Sequence, residues 1–268
     1  MNFSLEFFPP KNGDFKKILD VHNELSFLKP KFVSVTYGAL GSNQDKSIEL
    51  ALALNIKKIE TAAHLTIANK SIKDIEIIVD KLMQIGIKKI VALRGDCPNN
   101  NYKEHPAGFS STSEFVSFLF NRGIEVFVSS YPEHHPESDS FEADLAILKD
   151  KQKAGASRAI TQFCFSKDAY ARLLDESFKN DIDIEITPGI MPIYNISNIL
   201  NMSQRCGIKI PDSIKNRFSD DESDNFKQAL EICHEQLDYL IEIGFKSFHF
   251  YTLNRYKLLK QLFAERTN

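Results

Sequence analysis

The stretch Ile90–Asp96 reads I-V-A-L-R-G-D. Its first four residues form a short apolar run with β-branched members, preceded by Lys88-Lys89 and followed by Cys97-Pro98. A run of that length and composition reads as a fully buried strand. It stops on an arginine, a glycine and an aspartate. Glycine permits a positive φ or a close backbone approach to a ligand. Two opposite charges at the exit of a buried strand are costly unless they pair or serve a site. In a parallel barrel, that exit is on the active-site face. The plain alternative is an Arg94–Asp96 ion pair closing a loop.

The same pattern repeats outward in both directions. Strands are expected at Phe3–Phe8, Phe32–Thr36, Ile59–Leu65, Ile90–Leu93, Ile124–Ser130, Arg158–Phe163, Ile182–Thr187 and Lys246–Thr252. Helical spacing separates them, for example over Asp14–Leu28, Ser71–Gln84, Ser140–Ala154 and Asp224–Ile243. Ser71 is placed to cap its helix, with Asp74 in the first turn and Gly86 beyond the end. Eight strands, each followed by a helix, predict an α/β fold of the (β/α)8 TIM-barrel kind. No G-x-G-x-x-G follows the first strand, as a doubly wound sheet would often have. Residues 1–268 read as a single domain with an extra helical insertion between strands 7 and 8, over Asn195–Arg205 and Pro211–Arg217.

Composition bounds the function. The 268 residues are 43% hydrophobic and 26% charged, ordinary for a globular chain. A net charge of −3 without blocks of like charge argues against nucleic acid or an anionic membrane as partner. No signal peptide or transmembrane stretch is readable, and four widely spaced cysteines without C-x-x-C suit reduced thiols, so a cytoplasmic location is expected.

The barrel reading supplies a test. Interior strand residues should be apolar, and strand ends should collect the chemistry. Glu6 lies in the first strand; Thr36 and Tyr37 end the second, His64 the third, and Asp96 follows the fourth. Tyr131, with His134 or His135, follows the fifth, Gln162 ends the sixth, and Tyr251 and Arg255 follow the eighth. Packing explains such a ring poorly. Individually, Glu6 could pair with Arg158, His64 could be a core histidine, Glu185 could lie low in the barrel, and His249 between Phe248 and Phe250 could be structural. Two chemistries fit the ring. One is metal-assisted hydrolysis, whose usual sign, H-x-H on the first strand, is missing. The other is a cofactor enzyme with Glu6 as a buried proton donor, its pKa raised by Phe3, Phe7 and Phe8 around it.

The motifs L-E-F-F-P-P, K-P-K-F-V-S-V-T-Y-G-A, A-A-H-L-T, V-A-L-R-G-D, Y-P-E-H-H-P-E, R-A-I-T-Q-F, P-G-I-M-P and F-H-F-Y-T-L-N-R stand in that order along the chain. Together they resemble methylenetetrahydrofolate reductase, in its bacterial catalytic form without the eukaryotic regulatory domain. The resemblance implies a TIM barrel binding FAD at the strand C-termini. NADH or NADPH would reduce the flavin and leave. Methylenetetrahydrofolate would then take its place and be reduced to methyltetrahydrofolate, feeding one-carbon metabolism and methionine synthesis.

It also implies roles for residues. Glu6 resembles the general acid that protonates the folate nitrogen. Asp96 resembles a carboxylate between flavin and pterin. Thr36 and Gln162 match substrate and nicotinamide contacts, and Asn198 and Arg255 stand on the folate side. Tyr37, Ala39, His64, Arg94, Gly95, Asp96, Tyr131, His135, Asp144 and Lys151 fall on FAD-contact positions. No metal is implied, and a homo-oligomer is. The chain departs from the pattern at Ile147, where an asparagine can stand, at Asp150, where a basic residue can stand, and at Asn198 and Met202, which replace a glutamine and a phenylalanine. Two other classes fit the same ring: a flavin- or folate-binding accessory subunit without turnover, and a metal-dependent TIM-barrel hydrolase.

Overall fold

A computed structural model of the chain describes residues 1–37, 44–95 and 104–266. The strands are β1 (Asn2–Phe7), β2 (Phe32–Val35), β3 (Thr61–Thr66), β4 (Lys89–Leu93), β5 (Glu125–Ser130), β6 (Ala156–Thr161), β7 (Glu185–Thr187), β8 (Gly189–Ile190) and β9 (Ser247–Tyr251). All pairings are parallel, in the order β7-β6-β5-β4-β3-β2-β1-β9-β8. The helices are α1 (Lys16–Leu25), α2 (Gln44–Ile56), α3 (Ile72–Gln84), α4 (Thr112–Asn121), α5 (Phe141–Lys153), α6 (Lys167–Lys179), α7 (Ile196–Cys206), α8 (Asp212–Lys215), α9 (Glu222–Glu242) and α10 (Lys257–Arg266). Ser71 caps α3 as expected, and Asp74 bonds back to complete a capping box. The insertion between the seventh and last staves is α7 and α8, as expected.

Nine strands stand where eight were expected because the seventh stave is broken. β7 pairs with β6 up to Ile160↔Thr187, whereas β8 pairs with β9 at Gly189↔His249 and Ile190↔Phe250. Pro188 lies between them. A proline has no N–H, so a ladder cannot run through it. Its carbonyl instead accepts the N–H of His249 at 2.9 Å. The chain thus leaves one neighbour, turns to the other, and brings the ends of the sheet together. Ile182, expected in the strand, is a buried loop residue ahead of it.

Strand alternation divides the side chains. Leu5, Phe7, Val33, Val35, Leu65 and Phe250 point outward into the large core shared with the helices. Inside the barrel, Phe32, Ala62, Val91, Phe127 and Ile160 form a separate apolar plug, with Phe32 and Phe127 rings 4.8 Å apart. Above it the interior is polar: Ser34, Glu6, His64 and His249 are buried there. The expectation of an apolar interior therefore holds only for the lower layer. Glu6 and Arg158 do not pair. Arg158 lies over the Phe32 and Phe127 rings and donates to Glu185 at 2.5 Å and Thr187 at 2.7 Å, which puts Glu185 low in the barrel.

Candidate active site

Glu6 enters the barrel because Leu5 and Phe7, its neighbours in β1, take the outward positions. Phe7 is therefore on the other face, and Phe3 packs with it in the outer core against Phe248, Phe250 and Phe263. Glu6 is surrounded instead by groups from three other strands. Ser34 Oγ and Thr36 Oγ1 each lie 3.5 Å from its carboxylate, His64 Nε2 lies 3.5 Å away and His249 Nε2 3.4 Å. All four distances are long. By contrast, the other side of the His249 ring meets Ser4 Oγ at 2.8 Å. The carboxyl is caged without being gripped, the loose geometry that catalytic groups often show before substrate binds.

The electrostatics correct an expectation. Burial acts most strongly on Glu6 and raises its carboxyl, but the charge of His64 and the hydrogen bonds of His249 and Thr36 outweigh it, so the pKa lies below the usual value. An apolar pocket of phenylalanines would have done the reverse. Burial also pulls His64 down, partly offset by the Glu6 carboxylate. His64 lowers Glu6 only while it carries its own proton, so the groups titrate as one cluster.

The fourth strand ends as its glycine demands. Gly95 has φ +96, and a Cβ there would lie 2.8 Å from Thr66 Cβ and 3.0 Å from Ala68 Cβ. Both its conformation and its neighbours exclude a side chain. Arg94 donates to Glu137 at 2.5 Å, which places its partner on the loop after β5. Asp96 and Ala39 lie outside the described residues.

A second group of predicted residues gathers at the mouth of β4 and β5. Tyr131 and His135 meet edge to face at 4.7 Å. The backbone N–H of His135 donates to Asp144 Oδ2 at 2.5 Å. Lys151, one of the buried charges, donates to Ser129 O at 3.1 Å. Burial brings its pKa down to about 8, against the pull of Asp144. Tyr37 is buried across the mouth, its phenol pushed up to about 12 by burial and Asp45, with Lys70 over its ring. On α5, Leu148 turns into the core, whereas Ile147 and Asp150 are exposed.

The remaining predicted residues are more dispersed. Gln162 follows β6 and folds its Oε1 back onto the N–H of Phe163 at 3.0 Å. Asn198 is exposed in the first turn of α7, its N–H accepted by the cap Asn195. Arg255 is exposed, with its guanidinium 5.2 Å from the Tyr194 ring centre. Sequence reasoning missed Ser4 and Ser34, and it left His249 as structural. The signal for His249 was present: it alternates with outward Phe248 and Phe250, so it must face the interior. Among the described residues no group of three or more histidines, cysteines, aspartates or glutamates is arranged to hold a metal ion. Nor is any described helix long and apolar enough to cross a membrane.

Residues 1–266 match the family model described as methylenetetrahydrofolate reductase. The chain belongs to that family. Among its relatives, the 5,10-methylenetetrahydrofolate reductase of Buchnera aphidicola subsp. Schizaphis graminum is 39% identical over 257 residues, covering 94% of this chain and 87% of the relative. That of Escherichia coli K12 is 38% identical over 261 residues, covering 95% and 87%. Among solved structures, a Clostridium thermocellum protein that binds two copies of 5-methyl-5,6,7,8-tetrahydrofolic acid superposes with a TM-score of 0.67 at 15% identity. The overlap covers 97% of this chain and 92% of that one, and shows the shared barrel. The matched span includes Glu6 and the residues at the mouth of β4 and β5.

Proposed function

We propose that the protein reduces 5,10-methylenetetrahydrofolate to 5-methyltetrahydrofolate, with electrons from NADH or NADPH passing through FAD in ping-pong order. The observation that carries the reading is the slack cage around Glu6: a buried carboxyl with four polar neighbours at 3.4–3.5 Å, placed at the C-terminal half of the barrel. Reductive opening of the folate's five-membered ring needs a proton at the departing nitrogen. Glu6 is the group placed to deliver it, and with its pKa below the usual value it must first take up a proton, His64 and His249 lying 3.5 and 3.4 Å away.

The residues at the mouth fit a flavin dinucleotide. Lys151 is a buried ammonium whose hydrogen bond goes to a carbonyl, and the nearby buried hydroxyl of Ser130 has no hydrogen-bond partner among the described residues. Such donors suit an anionic, oxygen-rich group. Arg94, His135, Asp144 and Lys151 would hold its phosphate and ribose portions. Tyr37, His64, Gly95 and Tyr131 would border the ring, with Ala39 and Asp96 assigned on the resemblance. Bound there, FAD would supply the hydride-transfer chemistry that links the nicotinamide to the one-carbon unit. Gln162 would contact nicotinamide and folate in turn, Thr36 would stand on the nicotinamide side, and Asn198 and Arg255 would stand on the folate side. Gln162 would serve both half-reactions from one site and Glu6 the folate step alone, which suits two substrates that alternate. We further assign the protein to the cytoplasm as a homo-oligomer, following its family.

The purified protein tests this directly. It is expected to show flavin absorption bands that NADH or NADPH bleaches without oxygen and that methylenetetrahydrofolate then restores. A colourless protein carrying stoichiometric metal, or flavin bands that neither substrate changes, overturns the reading.

A further inference from the structure

We propose that Tyr251 is a positioning residue for Gln162, clasping the end of β6 across the break in the seventh stave. The inference rests on the role given to Gln162 above. At Pro188 the ladder beside β6 stops, one residue short of Thr161. Thr161 is fully buried, so its carbonyl needs a donor. Tyr251, reaching from β9, supplies it: the phenol donates to Thr161 O at 2.8 Å. The Thr161 hydroxyl in turn accepts the N–H of Gly189 at 2.9 Å. Side-chain hydroxyls thus stand in for the missing rungs.

The clasped carbonyl belongs to the peptide unit joining Thr161 to Gln162. The N–H of the same unit donates to Ser130 O at 2.9 Å. One peptide is therefore held at both ends, by β9 on one side and β5 on the other. That fixes the plane from which the Gln162 side chain departs. Residue 189 must lack a side chain for this to work. A Cβ on Gly189 would lie 2.3 Å from Thr161 O and 2.5 Å from the Tyr251 ring. The ring is also set at 90° to His249, with centres 5.3 Å apart, so the clasp borders the Glu6 cage.

The test is a double-mutant cycle in the holoenzyme, Tyr251→Phe with Gln162→Ala, accompanied by amide hydrogen exchange. Phenylalanine keeps the ring and removes the donor. Tyr251→Phe is expected to raise KM for methylenetetrahydrofolate roughly three- to tenfold, the size of one buried hydrogen bond, with a smaller change in kcat. In the Gln162→Ala background the same change should add nothing. The Gln162 amide should exchange faster in Tyr251→Phe while the flavin spectrum stays the same. Gly189→Ala, which displaces the ring from the opposite side, should shift KM in the same direction. Additive KM effects, or a fall in melting temperature with KM unchanged, would make Tyr251 merely structural and overturn the proposal. Unchanged exchange at Gln162 would remove the clasp itself. A wild type with no folate turnover would instead remove the functional reading, and the role toward folate with it, whatever the exchange shows.

Discussion

Two layers of the barrel interior are built on the same strands, two residues apart, and have opposite characters. On β2 the step is from Phe32 to Ser34, and on β3 from Ala62 to His64. The lower layer is packed, ring against ring. The upper is polar, with its carboxyl held loosely by neighbours at 3.4–3.5 Å. The outward residues of the same strands are apolar at both levels. The difference teaches that chemistry here is a local exchange within a fixed scaffold. The plug packs within the barrel below the cage, and the cage itself is buried. Desolvation then makes the charges above it count for more.

Each layer can be broken separately. Glu6→Gln alters the upper layer without touching the plug. Glutamine keeps the size but cannot deliver a proton, so folate reduction should fall by about 10²–10⁴-fold while NADH-to-dye turnover survives. Half-reactions measured separately by stopped flow decide it; an equal loss in both would make Glu6 structural. Phe127→Ala breaks the lower layer. Truncating a buried phenylalanine should cost about 3–5 kcal/mol, seen in urea melts, with kcat per folded molecule largely kept.

Lys151 sharpens the comparison, because it is a buried charge outside the cage. Its pKa is depressed to about 8 from the usual 10.5. Between those values the unfolded chain binds more protons, so the flavin-free protein should gain stability as pH rises through that window. Lys151→Met should abolish that rise. At pH 7 it should stabilise the apoprotein by up to roughly 3 kcal/mol, the equivalent of the shift, while weakening flavin binding. Apoprotein melts at pH 7 and 10, with flavin titrations, test both; a destabilised methionine variant would contradict the account.

The smallest effect is expected on the open flank of α5. Asp150 is exposed and 3.4 Å from Lys153. A negative charge near the flavin phosphates would repel them, so Asp150→Arg should tighten FAD binding roughly three- to tenfold at low salt and less at high salt. Titration of stripped apoprotein at two ionic strengths checks it. A gain indifferent to salt would mean that Asp150 does not face the phosphates.

Most of the scaffold was legible in the sequence because its signals are local. Apolar runs of strand length, helical spacing and punctuation by serine caps and glycines place the staves and helices within a few residues. The cage was less legible because its members meet across strands. Reading Glu6 from its chain neighbours surrounded it with Phe3, Phe7 and Phe8, when alternation sends Phe7 to the other face and brings His64 and His249 in. The sign of its pKa shift was wrong for that reason. Arg158 was offered to Glu6 by charge alone, but β7 holds Glu185 nearer. The seventh strand was expected to end at Thr187; the role of Pro188-Gly189 beyond it, as a switch between two neighbours, depends on register, which no local pattern carries.

The broken stave and the cage share one further property. Glu6 and His249 stand 243 positions apart in the chain, on strands β1 and β9 that lie side by side. A ribosome adds roughly 5–20 residues per second, so β1 waits on the order of ten seconds to a minute for its partner to be made. Throughout that interval one edge of β1 has no neighbour, and the carboxyl has only the groups from β2 and β3. The nascent chain is therefore chemically silent and sticky along one edge until the last stave arrives, and a cell making this barrel has that interval to guard.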